Sequence, residues 1–345
     1  MADVMNNWQN FLIQEGATID EGLVTSFGET PADYPELKAA LTDLSDLGVL
    51  ALEGVDTKQF LQGQSTSDTR LLNKDTFLPG AICNPKGRML TSYQAVEAAI
   101  DTILLVMHRP LVESSISRLE KYAAFFKTTL SDASEGYRLF GVSGPDSESL
   151  LDQVFDAVPQ AITQLCIGEN YLLLRISAQQ FLLIVDKSGA EKYWLELATT
   201  IKPAGVGYWE LQSIRAGLAQ VRSEAFEQFV PQMLNLQAIG AVSFKKGCYT
   251  GQEIVARMQY LGKLKRRAYR VIIENTTPPK RGTEVYSSPH NKLVGSVLSA
   301  APADEKNAEV LAILHEEQAD ATSLIINNQT TAVHIVDLPY TLAAE

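Results

Sequence analysis

From Lys263 onward the chain changes texture, and this change constrains the architecture more than any other feature of the sequence. Short runs rich in β-branched and aromatic residues (269–273, 285–286, 294–297, 310–314 and 333–336) follow one another, divided by Pro, Gly and Asn. Runs of this length with turn residues between them imply a C-terminal β-barrel or sandwich over residues 263–345.

The chain before that point is mixed. Trp8, Phe11 and Leu12 share one face of a helix over 6–15. Residues 49–55 have strand character and end at Gly54-Val55-Asp56, where Asp56 is placed to cap a helix through Phe60 and Leu61. The segment 80–90 has strand-like ends around the turn 83–88, and 103–107 is a buried strand. Pro110 opens a helix lined by Leu111, Ser115, Leu119 and Tyr122, and 171–176 with 181–185 forms a hairpin. Thr250 or Gly251 begins the clearest helix, with Ile254, Val255, Met258 and Leu261 at helical spacing and Gly262 as its stop. The class is α+β, and 345 residues suggest two or three domains. No internal repeat is evident in the residues.

Charge narrows the functional classes. The net charge is −12, which disfavours general binding of nucleic acid. Residues 245–270 nevertheless hold eight Lys/Arg against one acidic residue, a basic island of +7 on a body of −19. Three scattered cysteines, Cys83, Cys166 and Cys248, without a CxxC pair imply a reducing compartment and no zinc or iron–sulfur ligand set. The four histidines form no HxxxH or HExxH pattern. The N-terminus has neither a signal-peptide nor a transit-peptide pattern, and no run approaches a membrane span, so a cytoplasmic protein is expected.

The chemistry concentrates in Lys245-Lys246-Gly247-Cys248-Tyr249-Thr250-Gly251-Gln252-Glu253. A thiol here lies between two lysines and a helix N-terminus, both of which favour thiolate, and the glycines permit close approach of a ligand. A structural cysteine in a tight turn is the competing reading. Glu253 is either a general acid–base or a first-turn acid matched to the helix dipole. The lysines either hold an anion or form a solvated face, and Gly262 to Arg267 is either a phosphate or polyglutamate contact or a basic linker. Asp68 is a heterocycle partner or a cap, and Tyr208 and Trp209 stack on a ligand or fill the core.

Lys246 to Glu253, continued by Ile254-Val255-Ala256-Arg257-Met258, resembles the signature of the YgfZ-type folate-binding proteins. Residues 44–64, Cys83 to Met89 and Phe229 to Leu236 resemble further blocks of that family in the same order, whereas 111–205 add little. The family is similar to the T-protein of the glycine cleavage system. The resemblance implies a ring of three domains around a central folate site. Residues 1–45 and 111–203 would form a first α+β domain, 46–110 and 204–262 a second, and 263–345 a β-barrel.

The same resemblance implies tetrahydrofolate or a derivative as cofactor, with its acidic tail near the basic island. Cys248 is the expected functional thiol, and Lys246, Tyr249, Gln252, Glu253, Trp209, Lys86 and Arg88 are the expected folate contacts. No metal site is expected. Thr91 and Ser92 stand where the T-protein carries acidic residues, so glycine cleavage is not implied, nor a conventional enzyme. Arg215 stands before Ala216-Gly217, where many relatives carry an acid. The implied role is accessory: support of iron–sulfur cluster assembly or repair in radical enzymes that methylthiolate tRNA. The partners would be folate and transient iron–sulfur clients, with tRNA reached indirectly and no membrane. The alternatives are a folate-dependent one-carbon transferase or demethylase, with Asp68, Asp75 and Glu253 as the only candidate carboxylates near the matched blocks, and a direct tRNA-binding protein.

Overall fold

The computed structural model describes residues 7–260, 264–274, 276–288 and 290–342. Leu261, Gly262 and Lys263, which carry the expected helix stop and the start of the basic run, lie outside the described residues. Two five-stranded antiparallel sheets and a closed six-stranded barrel form the frame. The fold is thus α+β with a C-terminal barrel, as the texture of the sequence implies.

The first sheet runs in the order Leu165–Gly168, Tyr171–Ser177, Gln180–Asp186, Tyr137–Ser143, Ala40–Asp43. The second runs Leu78–Cys83, Met89–Ala99, Thr102–His108, Leu47–Glu53, Thr129–Asp132. Alternate residues of a strand face opposite sides of its sheet. In the second sheet, Leu50 and Leu52 meet Phe60, Leu61, Val112, Ile116 and Leu119 of the covering helices Thr57–Gln62 and Val112–Ala123. Val49 and Ala51 point the other way, into a cluster with Leu139, Leu174, Leu182 and Ile184 of the first sheet. The far face of the first sheet carries Leu41, Phe140, Val142 and Phe181 against Trp8, Leu12 and Trp194 of helices Asn7–Gln14 and Ala190–Ala198. The layers are therefore helix, sheet, sheet, helix. Strands buried on both faces lose polar alternation, which is why Ile103 to Met107 is a continuous apolar run.

The structure shows a repeat that the sequence conceals. Strand Leu47–Glu53 leads through Gly54-Val55-Asp56 into a helix at Thr57, and strand Tyr137–Ser143 leads through Gly144-Pro145-Asp146 into a helix at Ser147. Gly54 and Gly144 take φ of 136° and 128°, and an added Cβ at either would press on a backbone carbonyl, Lys127 or Lys38. Asp56 and Asp146 donate their amides to those same two carbonyls. The two modules exchange edge strands. Ala40–Asp43 lies just before the second sheet in sequence but pairs with Tyr137–Ser143 of the first, and Thr129–Asp132 lies just before the first sheet but pairs with Leu47–Glu53 of the second.

This exchange shifts one expected boundary. Residues 112–132, expected with the first domain, supply a helix and an edge strand to the second sheet, so the division by sheet falls near residue 133 and not at 111. Helix Val206–Arg215 then bridges the lobes. Its Trp209 packs in the layer between the sheets, while Tyr208, Leu211 and Ile214 join a core with Ala268, Leu298, Leu311 and Ile313 of the barrel.

A buried ionic chain ties the same parts together. Arg222 pairs with Asp46 at 2.6 Å and approaches Glu210 at 3.7 Å, and Arg281 of the barrel domain pairs with Glu210 at 2.7 Å. Removing one member strands the others without water, at a cost of about 3–5 kcal/mol. Arg222→Ala is expected to lower the free energy of unfolding by roughly that amount in urea titration; a change below about 1 kcal/mol would refute the coupling. Beside Arg222, the buried His108 is held neutral, its pKa pushed down from 6.5 to about 4 chiefly by burial and then by the Arg222 charge. The unfolded chain therefore binds more protons than the folded one between pH 6.5 and 4, and stability falls as pH drops through that window. His108→Gln is expected to flatten the pH dependence of the urea midpoint there, and an unchanged slope would count against this origin.

Candidate functional site

Three sequence blocks far apart in the chain meet on one face. The turn Asn84 to Arg88 is closed by Gly87 N–H donating to Asn84 O at 2.9 Å, with Gly87 at φ 69°. Gly251, at φ 85°, sits so close that a Cβ would overlap the Asn84 carbonyl oxygen, while a Cβ on Gly87 would stand 2.9 Å from Ile254 Cβ. Only two residues without side chains allow this contact. Thr250 N–H donates to Gly63 O at 3.2 Å, and Thr250 Oγ1 donates to Gln64 Oε1 at 3.2 Å, bringing in the third block.

Lys246 locks the arrangement. Its side chain is buried, and Nζ donates to the carbonyls of Gln62, Ser65 and Ser67 at 2.8, 2.7 and 2.6 Å. All three N–H donors of the ammonium are used, leaving none for a ligand. Burial pulls its pKa down to about 8, while the Asp68 charge opposes that shift. Nζ also lies 5.1 Å from the ring centroid of the buried Tyr249, a cation–π contact. Two residues after Lys246, Cys248 is exposed. Gln252 begins helix Gln252–Tyr260 and is half-buried, and Glu253 is exposed in its first turn. Lys86 and Arg88 are exposed on the facing turn, where Arg88 donates to the Gln228 carbonyl. The structure thus brings Lys86, Arg88, Lys246, Cys248, Tyr249, Gln252 and Glu253 together, but leaves Trp209 apart from them.

Trp209 belongs to the interlobe space. A cavity of about 520 Å³ opens between the two sheets, the helix Val206–Arg215 and the C-terminal segment. Its walls include Phe77, Gln94, Ile176, Arg215, Ile239 and Tyr340. A smaller one of about 90 Å³, lined by Trp209, Ser92 and Tyr93, shares Pro79, Gln94, Ile176, Leu218 and Ile239 with it. The larger volume lies in the usual range for small-molecule sites. The walls are mainly apolar, Gln94 Oε1 is buried without a hydrogen-bond partner, and Arg215 is the one cation among the described lining residues. These features fit a ring-bearing ligand with polar edges. None of the described residues lining either cavity is a carboxylate, and neither cavity is lined by Cys248.

The candidate carboxylates are engaged or exposed elsewhere. Asp68 receives Arg70 at 2.6 Å, which holds its pKa down to about 2, and caps the turn Thr69–Leu71. Asp75 is exposed. Ser92 Oγ accepts the Val221 amide at 2.8 Å, and Thr91 is buried. Sequence reasoning missed most of the cavity wall, which comes from at least five separate segments; the 177–180 hairpin turn and Arg215 before Ala216-Gly217 were the parts of it that the sequence marked.

The exposure of the thiols is directly measurable. Cys83 is buried, with its thiol pushed up to about 12 by burial, and Cys166 is half-buried. Ellman's reagent on the folded protein is expected to give one fast thiol, removed by Cys248→Ser, with Cys83 reacting only after denaturation. Absence of a fast phase would mean that the loop hides Cys248.

The GCVT N-terminal domain family matches residues 36–246. The "tRNA-modifying protein YgfZ" of Sodalis glossinidius is 32% identical over 317 residues, covering 90% of this chain and 96% of that protein. The protein of the same name from Colwellia psychrerythraea is 32% identical over 335 residues, covering 93% and 97%. The crystal structure of glycine cleavage system aminomethyltransferase T from Bartonella henselae superposes with a TM-score of 0.77 over 96% of each chain, at 15% identity, and shares the fold. The chain therefore belongs to the GCVT family and, within it, to the YgfZ-type proteins.

Proposed function

We propose that this protein is a folate-binding accessory factor of tRNA modification, supporting the iron–sulfur enzymes that methylthiolate tRNA. Its two working parts are separate. Tetrahydrofolate or a derivative occupies the interlobe cavity, held between apolar walls, with Gln94 and Arg215 meeting its polar groups. Cys248 works on the surface built by Lys86, Arg88, Gln252 and Glu253, towards a partner protein or a reactive one-carbon species. The names borne by the two relatives support the pathway.

One observation carries the choice of role: an exposed thiol stands outside a cavity whose described walls hold no carboxylate. A transferase or demethylase working on folate needs a general base or an anionic group against the reactive nitrogens. Asp68, Asp75 and Glu253 do not line the cavity. The accessory reading is therefore favoured over a catalytic one. Direct tRNA binding is disfavoured by the net charge of −12.

Cells that lack this protein and carry Cys248→Ala in its place are expected to lose tRNA methylthiolation, while the purified variant keeps the folate affinity of the parent. Normal methylthiolation in that strain would remove Cys248 from the function. Steady turnover of a one-carbon folate by the purified protein alone would favour an enzyme instead.

A further inference from the structure

We infer that Arg215 is the specificity-determining residue of the interlobe cavity, and that it selects a ligand with an apolar planar body and a carboxylate. The inference rests on the cavity being a ligand site, as proposed above, and adds which chemical group the site demands and where.

Arg215 ends the bridging helix Val206–Arg215 and lines the larger cavity. Its Nε–H donates to Glu309 Oε1 at 2.8 Å. Glu309 lies on the barrel strand Ala308–His315, is almost fully buried, and also accepts from Arg270 Nε at 2.7 Å. The carboxylate thus fixes the guanidinium from its Nε side and leaves both terminal amino groups of Arg215 without a hydrogen-bond partner among the described residues. Arginine presents these groups as a planar fork that matches two carboxylate oxygens.

The charge count favours an anion. Two guanidinium groups share one carboxylate, so the triad carries a surplus of one positive charge. No other described lining residue is charged, and Phe77, Ile162, Ile176, Leu218 and Ile239 keep the surroundings apolar. The Arg215 side chain is 37% exposed, so water screens its charge in part, and the preference for an anion rests on the geometry of the fork as much as on the charge. The buried, unpartnered Gln94 Oε1 on another wall offers an acceptor to an N–H on the ligand body.

This relocates the counter-charge for an acidic tail. Among the described residues of the basic island, Lys245, Lys246, Arg257, Lys265, Arg266 and Arg267 do not line the cavity, and only Arg270 acts on it, through Glu309.

The test is calorimetric titration of the whole protein with two acid–ester pairs, folic acid and its dimethyl ester, and 4-aminobenzoylglutamate and its dimethyl ester. The acid of a pair is expected to bind at least about tenfold more tightly than the ester, the scale of a charge-assisted bidentate pair. Arg215→Gln is expected to collapse that ratio towards one, and Arg215→Lys to retain part of it. An acid-to-ester ratio near one in the unaltered protein overturns the inference, whether or not the variants fold, as does a ratio that survives Arg215→Gln. Folic acid and its ester binding equally well would sink this inference and leave the folate reading intact. Capture of 4-aminobenzoylglutamate through Arg215 without any folic acid binding would sink the folate reading and leave this one. Failure of all four compounds to bind would sink both.

Discussion

Everything in this molecule depends on the apolar layer between its two sheets. Val49, Ala51, Val96, Leu104 and Val106 from one sheet meet Leu139, Leu172, Leu174, Leu182 and Ile184 from the other. Each fully buried aliphatic side chain of this kind contributes about 1.5–3 kcal/mol relative to exposure, and the cluster is contiguous. Because both sheets also bury their outer faces under helices, neither can rotate away without opening two cores. The sheets thereby fix the gap in which the bridging helix sits, and that gap is where the cavities lie.

Much of this was legible in the residues. The C-terminal strands appear where the texture changes, and the 171–185 hairpin has its expected form, Tyr171–Ser177 with Gln180–Asp186. The helix of the signature begins at Gln252, one or two residues later than expected. The repeat was not legible, because a buried sheet asks only for apolar residues and two copies of one backbone need not share side chains. What survives is Gly54 with Asp56 and Gly144 with Asp146, too little to notice without coordinates. The edge strand Thr129–Asp132 escaped for a related reason, since its side chains are mostly exposed and its burial pattern is that of a loop.

The site divides in the same way. Cys248, Lys246 and the two glycines of the signature stand out as a group, and the structure keeps the group together. The task of Lys246 was not readable, because its partners are backbone carbonyls of Gln62, Ser65 and Ser67, and a carbonyl has no letter in the sequence. The lysine closest to the thiol in the motif is an internal brace, whereas the arginine at the cavity belongs to a helix that the motif does not include. Tyr208 and Trp209 follow their packing role in the core, although Trp209 also borders the small cavity.

The exchanged edge strands bear on how the chain is made. A nascent polypeptide delivers Ala40–Asp43 from the ribosome long before its partner Tyr137–Ser143, so that strand must wait beside a half-built neighbour. Thr129–Asp132 then completes the earlier module just as the later one begins to emerge. Pairings this distant in sequence slow folding and couple the halves. Both sheets are complete in sequence by Asp186, and a proteolytic nick between 112 and 128 would cut Thr129–Asp132 away from a sheet whose other four strands all precede it.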